Sequence, residues 1–377
     1  RLPKILKFIP GKAQDLRGYF LTMQYWLGGS DENIVSMFAY LAATYAKGPR
    51  AELTAGLVAA DPIDYPDTGL YHPQIAGRIS TDLADLPPPK VAAGTVGVLL
   101  LRSYVLAGDT AHYDGVIAGL EAKGLRVIPA FAGGLDGRPA MEAYFTKDGV
   151  ATVDTVLSLT GFSLVGGPAY NDSEAAEEAL AALDVPYVAA HALEFQTLGQ
   201  WQCSGTGLGP VEATMLVALP EIDGATNPTI YGGRMGAEGC DGCPGGCKGN
   251  PDAMRAMAPC PERIGVLAAR VAKLAALRRS QVAERKIAIV LYGFPPNAGA
   301  VGTAAYLSVF ESLHNTLHAM RAAGVDVDPP ETVEDLRHLV LEGNAKLHGQ
   351  EANVLTKIPA DDLVARGPHL AEIEAQW

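Results

Sequence analysis

The sequence predicts an α/β protein, in which parallel sheets are wound with helices in the Rossmann or flavodoxin manner after a helical segment. Three observations support this class. Residues 94–136 read as an apolar strand, a helix and a second apolar strand, which is the unit that builds helix-covered parallel sheets. The alternation of strand and helix continues beyond residue 136. The composition, 48% hydrophobic and 19% charged with 42 Gly and 26 Pro, is typical of soluble α/β chains.

The unit 94–136 also predicts a ligand-binding edge. Its strands are Val96–Leu101 and Val127–Phe131. The helix between them is predicted by apolar residues at i, i+3, i+4 and i+7, namely Tyr113, Val116, Ile117 and Leu120. Because ligands of such sheets lie beyond the carboxyl ends of strands, the polar corner with Arg102, Asp109 and His112 is a candidate site.

The 377 residues are enough for two or three domains. The segments predicted are a helical segment (1–60), a Pro-rich linker (61–93), an α/β domain (94–284) with a Cys-rich insertion (239–261), and the start of a second α/β domain (285–377). In the helical segment, Leu16, Phe20, Met23 and Leu27 recur at helical spacing, and Ser30 can cap the next helix.

Periodicity and Gly/Pro punctuation predict the further elements. In the α/β domain these are a helix near Ala140–Phe145, a strand Thr155–Leu159, a helix Ser173–Leu183, a strand Tyr187–Ala190 and a helix Glu262–Glu284. The last segment is predicted to hold a strand Lys286–Leu291, a Gly-rich turn Gly293–Gly302, a helix from Tyr306 to Met320 and a helix Val333–Glu342.

Charge and hydropathy exclude several classes of protein. The net charge of −13 argues against nonspecific nucleic-acid binding. No apolar run reaches membrane-spanning length and no secretory signal opens the chain, so a cytoplasmic protein is expected, or a stromal one in a plastid. The chain begins RLPKILKF without Met, and we expect it to be a fragment of a longer protein.

Four of the five cysteines form a C-x2-C-x3-C-x12-C pattern: Cys240, Cys243, Cys247 and Cys260. Glycines and prolines between them let the loop curl, and converging thiolates suit a soft metal. A 4Fe-4S cluster or tetrahedral zinc is therefore predicted. A disulfide pair or unconnected thiols are the alternatives. The fifth, Cys203, is expected to be a small buried apolar side chain.

Two other patterns carry weaker signals. The turn Gly293–Gly302 lacks both the G-K-[ST] of a phosphate loop and the G-x-G-x-x-G of a dinucleotide site, so it is read as a turn. His314 and His318 are four residues apart on a helix, but the acid of H-E-x-x-H is absent. They are therefore interpreted as surface residues. No nucleophile–base pair is evident, so no catalytic residue is assigned.

Seven segments, in one order along nearly the whole chain, resemble the porphyrin-binding large (H) subunits of magnesium chelatase. The cobaltochelatase large subunits are the second choice within the same superfamily. The segments are Leu6–Ser30, Gly69–Pro73, Leu99–Asp136, Leu157–Ala169, Phe195–Trp201, Val217–Gly224 and Phe294–Phe310.

The resemblance implies insertion of Mg²⁺ into protoporphyrin IX, in chlorophyll or bacteriochlorophyll biosynthesis. It also implies two smaller partner subunits, an AAA+ motor that hydrolyses ATP and an adaptor. A porphyrin needs a large apolar slot and cations for its propionates, and the candidate substrate contacts are Arg102, His112, Phe195 and Trp201. The alternatives are a Cys-cluster redox- or oxygen-sensing module and a scaffold for subunit docking.

This sequence differs from that family in two ways, and both limit the functions that the resemblance implies. The family's large subunits are several times longer, and their downstream H-F-G-T-H-G-S-L-E-F segment, associated with chelation, has no counterpart here. The segment alone is therefore not expected to chelate. The cysteine-rich loop 239–261 is an insertion relative to the family pattern, so the resemblance does not identify its ligand.

Overall fold

The computed structural model describes residues 6, 8–9, 11–88, 93–167, 170–237, 239–240, 247–249, 251, 255–293, 301–302, 304, 306–343, 356–367 and 369–376. The chain divides into two compact units, Arg1–Arg279 and Ser280–Trp377. In neither unit does the described part of the chain contain a helix long and apolar enough to cross a lipid bilayer.

Twelve strands are described, and eight of them form one sheet in the order β12-β11-β10-β7-β3-β4-β1-β2. The strands are β1 (Thr68–Tyr71), β2 (Ile79–Ser80), β3 (Gly94–Leu101), β4 (Leu125–Ala132), β5 (Thr146–Lys147), β6 (Val150–Ala151), β7 (Thr155–Ser158), β8 (Gly166–Gly167), β9 (Tyr170–Asn171), β10 (Tyr187–Leu193), β11 (Thr226–Arg234) and β12 (Met257–Pro259).

The five central strands, β4, β3, β7, β10 and β11, are parallel. If these five strands are numbered 1 to 5 along the chain, their order across the sheet is 2-1-3-4-5, which is the flavodoxin-like order. The outer strands β1, β2 and β12 are antiparallel to their neighbours. The predicted fold class is therefore confirmed.

The described helices of the first unit are α1 (Lys12–Gly28), α2 (Asp31–Tyr45), α3 (Pro49–Thr54), α4 (Arg102–Leu106), α5 (Ala111–Ala122), α6 (Arg138–Tyr144), α7 (Ser173–Leu183), α8 (Leu198–Gln202), α9 (Pro210–Glu212), α10 (Leu219–Ile222) and α11 (Pro261–Arg279). A π-helical segment, Ala213–Ala218, joins α9 to α10. Of the predicted helices, Ser173–Leu183 has the bounds that the sequence indicates, and the long helix ends earlier, at Arg279.

The sheet is buried on both faces, which is why its central strands are apolar without alternation. On β3, Val96, Val98 and Leu100 belong to the core under α5 and α11, and Leu99 belongs to the core under α6 and α7. Gly97 is required on that second face, since a Cβ there would lie 2.7 Å from the ring of Phe145. Burial on both faces fixes the register of the strand.

The prediction that residues 61–93 form a linker is wrong in part, because these residues contribute the strands β1 and β2 to the sheet. Leu70 and Tyr71 on β1 are fully buried. The Tyr71 hydroxyl donates to Asp114 Oδ1 at 2.5 Å, and Arg78 Nη2 donates to the other carboxylate oxygen at 2.6 Å. The prolines of this segment lie outside both strands, so β1 can pair with β4 on one side and with β2 on the other.

The helices α1 and α2 pack through Leu21, Tyr25 and Met37. Ser30 caps α2 as predicted, and its hydroxyl accepts from the Asn33 N–H at 3.3 Å. Leu16 and Leu27, from the stripe predicted to mark the helix, are 47% and 66% exposed. The helix is therefore confirmed, while its packing face consists of Gly18, Leu21, Tyr25 and Gly28.

The described part of the second unit is helical, with α12 (Val309–Ala322), α13 (Val333–Leu341), α14 (Ala360–Arg366) and α15 (Leu370–Gln376). The predicted strand Lys286–Leu291 is wrong: these residues form no strand. Ile287, Ile289 and Val290 are 53%, 45% and 90% exposed, so the described residues do not bury the apolar run. Most of the predicted turn Gly293–Gly302 lies outside the described residues.

Candidate functional site

A cleft lies at the carboxyl ends of the parallel strands, where the order of the sheet reverses between β3 and β7. This switch point is where flavodoxin-like sheets bind ligands. The cleft has a volume of about 170 Å³ and is mainly apolar and aromatic. Residues of β3, β10 and β11, of the loops after β7 and β10, and of three helical segments line it: Leu101, Tyr104, His112, Tyr113, Leu159, Thr160, Gly161, Phe162, Ala192, Glu194, Phe195, Met215, Leu216 and Tyr231.

Tyr104 and Glu194 form the polar pair of this cleft. The Tyr104 hydroxyl on α4 donates to Glu194 Oε1, directly after β10, at 2.5 Å. Burial raises the pKa of Tyr104 above its usual value, and the bond to Glu194 raises it further, so the phenol stays protonated as a donor. Arg234 Nε donates to the Glu194 carbonyl at 2.9 Å and holds the end of the strand.

His112 is buried beneath the cleft rather than displayed at a polar corner. Its ring stacks on Tyr231 with centroids 6.0 Å apart and contacts Tyr113 at 3.9 Å. Burial lowers the pKa of His112 to about 3, so the imidazole is neutral at physiological pH. Among the described residues, its Nδ1 and the Tyr231 hydroxyl have no hydrogen-bond partner. His112 therefore carries no positive charge that could bind a propionate.

Arg102 and Asp109, predicted to share one corner, have separate structural contacts. Arg102 Nε donates to the Pro66 carbonyl at 2.9 Å, and its Nη2 donates to the Tyr65 carbonyl at 3.1 Å. The guanidinium thus anchors the chain that enters β1. Asp109 Oδ1 accepts from the Met257 N–H at 3.0 Å, which joins the corner to β12. The predicted corner is a helical turn, α4, and Arg102 does not line the cleft.

Phe195 stands at the cleft with 68% of its surface exposed. Its backbone N–H and that of Gln196 both donate to Glu212 Oε1 at 3.3 Å. Glu212 is only 3% exposed, so a buried carboxylate fixes the loop that presents the ring. Sequence reasoning missed Glu212, because it lies in a short helix 17 positions from Phe195 and belongs to no motif.

Trp201 lines a second, larger cavity of about 520 Å³. A capping box between Thr197 and Gln200 begins its helix, α8. The walls of the cavity are mainly apolar but include one ion pair: Leu198, Trp201, Gln202, Ser204, Gly207, Cys240, Cys260, Glu262 and Arg263. Of the four predicted substrate contacts, the structure brings His112 and Phe195 together and places Arg102 and Trp201 elsewhere.

Three of the four predicted metal-binding cysteines pack on one small core with Leu193 and Leu198: Cys240, Cys247 and Cys260. The Cys240 N–H donates to the Cys247 carbonyl at 3.1 Å, and Cys260 is buried. Cys243 lies outside the described residues. Within the described ranges no three His, Cys, Asp or Glu side chains converge as metal ligands. Cys203, expected to be buried, is exposed.

The parallel strand order and the cleft at the switch point define an α/β protein with a flavodoxin-like sheet. A family model described as CobN/Magnesium Chelatase matches residues 23–377. The chain therefore belongs to the CobN/magnesium chelatase family.

The chain is similar over its whole length to the H subunits of magnesium chelatase from Cereibacter sphaeroides, at 60% identity, and from Rhodobacter capsulatus, at 62%. It spans 31% of the length of each of these relatives. Among solved structures, it resembles the catalytic subunit of cobaltochelatase from Mycobacterium tuberculosis with a TM-score of 0.60 at 23% identity. That similarity covers 88% of this chain and 25% of the other, and it supports the fold.

Proposed function

We propose that this chain is a segment of the porphyrin-binding subunit of magnesium chelatase. The complete subunit takes part in inserting Mg²⁺ into protoporphyrin IX, and two smaller partner subunits, an AAA+ motor and an adaptor, hydrolyse ATP and assist it. The observation that carries the proposal is the 60–62% identity, over the whole chain, to two proteins named as the H subunit of magnesium chelatase. The compartment proposed is the cytoplasm, or the stroma of a plastid.

Within this function, Trp201 and Phe195 are the proposed porphyrin contacts. Small-molecule pockets have volumes of about 300–1,000 Å³. The cavity at Trp201, about 520 Å³, falls in that range, whereas the cleft at Phe195, about 170 Å³, is large enough only for the edge of a macrocycle. Arg102 and His112 are proposed as residues that position the chain, since one binds backbone carbonyls and the other is buried and neutral.

A porphyrin titration tests these contacts. Protoporphyrin IX is added to the chain and tryptophan emission is followed, corrected for absorption by the porphyrin. Emission is expected to be quenched in the wild type and in Trp26→Phe, where the lost ring is exposed on α1. Quenching is expected to fall sharply in Trp201→Phe. Equal quenching in both variants, or none at saturating porphyrin, refutes the assignment of Trp201.

A chelatase assay separates magnesium from cobalt chelation, since a cobaltochelatase large subunit is the alternative. The full-length subunit containing this segment is supplied with its partners, protoporphyrin IX, ATP and either Mg²⁺ or Co²⁺. Formation of magnesium protoporphyrin supports the proposal. Insertion of cobalt alone supports the alternative.

A second function, redox or oxygen sensing, is proposed for the cysteine-rich loop because three of its thiols pack on one core. Cys240, Cys247 and Cys260, with Cys243, would hold a 4Fe-4S cluster or a zinc ion. A cluster, when bound, supplies one-electron redox chemistry. Iron and zinc analysis with absorbance of anaerobically purified protein tests this. Metal is expected in the wild type and in Cys203→Ser, and not in Cys260→Ser. Metal-free wild-type protein contradicts the proposal.

A further inference from the structure

His314 and His318 approach each other closely on α12 in the second unit. Their Nε2 atoms are 3.2 Å apart, and their ring centroids are 4.5 Å apart. The carbonyl oxygen of Pro330, in the connection to α13, lies 2.9 Å from His314 Nε2. His314 Nε2 is therefore close both to a second imidazole nitrogen and to a carbonyl oxygen, which come from two different parts of the unit.

With neutral imidazoles, only one of these two contacts can be an ordinary hydrogen bond at a time. The Nε2 atom of a neutral imidazole carries either one hydrogen or one lone pair. If His314 Nε2 carries the hydrogen, one hydrogen faces both the Pro330 oxygen and the His318 nitrogen. If it carries the lone pair, that lone pair faces the lone pairs of the Pro330 oxygen. A cation placed among the three atoms would accept electron pairs from all of them.

The spacing fits a metal ion of the first transition series. With metal–nitrogen distances of about 2.0–2.1 Å, two nitrogens 3.2 Å apart subtend an angle of about 100° at the metal. This value lies between the octahedral and tetrahedral angles. Imidazole suits Zn²⁺, Ni²⁺ and Cu²⁺, whereas Mg²⁺ prefers oxygen ligands. The set is therefore suited to a metal other than the substrate of the chelatase family.

We propose that His314, His318 and the Pro330 carbonyl form a binding site for a divalent transition-metal ion. The site is independent of the porphyrin contacts and of the cysteine-rich loop. When occupied, it joins α12 to the connection between α12 and α13, so metal binding should also make the second unit more resistant to unfolding.

The test is a calorimetric titration of the chain with Ni²⁺ in buffer containing excess Mg²⁺. Thiols are first blocked with N-ethylmaleimide, so that the cysteines do not bind the probe. We expect one equivalent of Ni²⁺ to bind. Because the second ligand of a chelating pair binds intramolecularly, His314→Ala and His318→Ala should each weaken that affinity by about tenfold or more.

His338→Ala on α13 is the matched control. Its ring nitrogens contact two different carboxylates, Nε2 with Glu334 at 3.2 Å and Nδ1 with Glu342 at 2.9 Å, so it offers no paired nitrogens. Its Ni²⁺ affinity should equal that of the wild type. His318→Gln provides a second variant, and circular dichroism checks that each variant is folded. Equal affinity in wild type, His314→Ala and His318→Ala, or no binding at millimolar Ni²⁺, overturns the proposal.

Discussion

Replacing His191 with leucine is expected to make the folded chain less sensitive to acid. His191 lies on β10 and is 1% exposed, and neither of its ring nitrogens has a hydrogen-bond partner in the described part of the chain. Burial lowers its pKa from 6.5 to about 4. The unfolded chain therefore binds a proton at a higher pH than the folded chain does, and acid favours unfolding.

The size of the effect follows from this shift. The free energy of unfolding is not reduced by His191 above the pKa of the ring in the unfolded chain, near 6.5. It falls as the pH decreases from there towards about 4, the pKa of the buried ring. Between about pH 7.5 and about pH 5, the loss for this one group is about 2 kcal/mol. His112, whose pKa is lowered to about 3, contributes a loss of similar size over that interval.

Guanidinium unfolding at the two pH values, followed by circular dichroism, measures the loss. In His191→Leu the fall in unfolding free energy should be smaller than in the wild type by about 2 kcal/mol. Equal loss of stability on acidification in the wild type and in His191→Leu would show that the buried His191 ring does not cause the loss.

Five further substitutions test the packing and the buried hydrogen bonds, and each is measured by the same unfolding assay. Gly97→Ala should destabilise by about 1–3 kcal/mol because its Cβ would overlap the buried Phe145 ring, whereas Gly265→Ala, exposed on α11 with open space around it, should stabilise by up to about 1 kcal/mol. Asn33→Ala removes two 2.9 Å bonds to the Ile63 backbone and should cost about 1–3 kcal/mol. Asp114→Ala leaves the buried Tyr71 hydroxyl without its acceptor and should cost more than Tyr71→Phe, which removes the donor itself. Equal changes in stability for Gly97→Ala and Gly265→Ala, or for Asp114→Ala and Tyr71→Phe, would contradict the contacts described. An unchanged stability in Asn33→Ala would contradict them as well.

The elements that can be predicted from the sequence are those whose signals are local. The unit 94–136 is recognisable because β3 and β4 are buried on both faces and α5 has one apolar stripe. The strand β11 is not predicted because Pro228, Gly232 and Gly233 interrupt its pattern. The structure explains those glycines, since a Cβ on Gly232 would lie 2.5 Å from the Ala258 carbonyl and one on Gly233 would lie 2.7 Å from Leu193. Close approach of neighbouring strands is not visible in a single chain segment.

Long-range partners account for the remaining differences. The apolar run Lys286–Leu291 has the composition of a strand, but a strand needs a neighbour, and composition does not reveal one. Arg102 has the charge that a propionate needs, but its guanidinium is bound to the Tyr65 and Pro66 carbonyls. The pairing of Tyr104 with Glu194 joins residues 90 positions apart. Strand order alone brings them together at the switch point.

A segment exchange tests most directly whether this chain serves in a magnesium chelatase. The matching 31% of the H subunit from Cereibacter sphaeroides is replaced by this chain, and the chimera is assayed for magnesium protoporphyrin with the partner subunits and ATP. A parallel chimera carrying the matching cobaltochelatase segment from Mycobacterium tuberculosis is the control. We expect Mg²⁺ insertion by the first chimera and not by the control. A folded first chimera that forms no magnesium protoporphyrin would contradict this expectation.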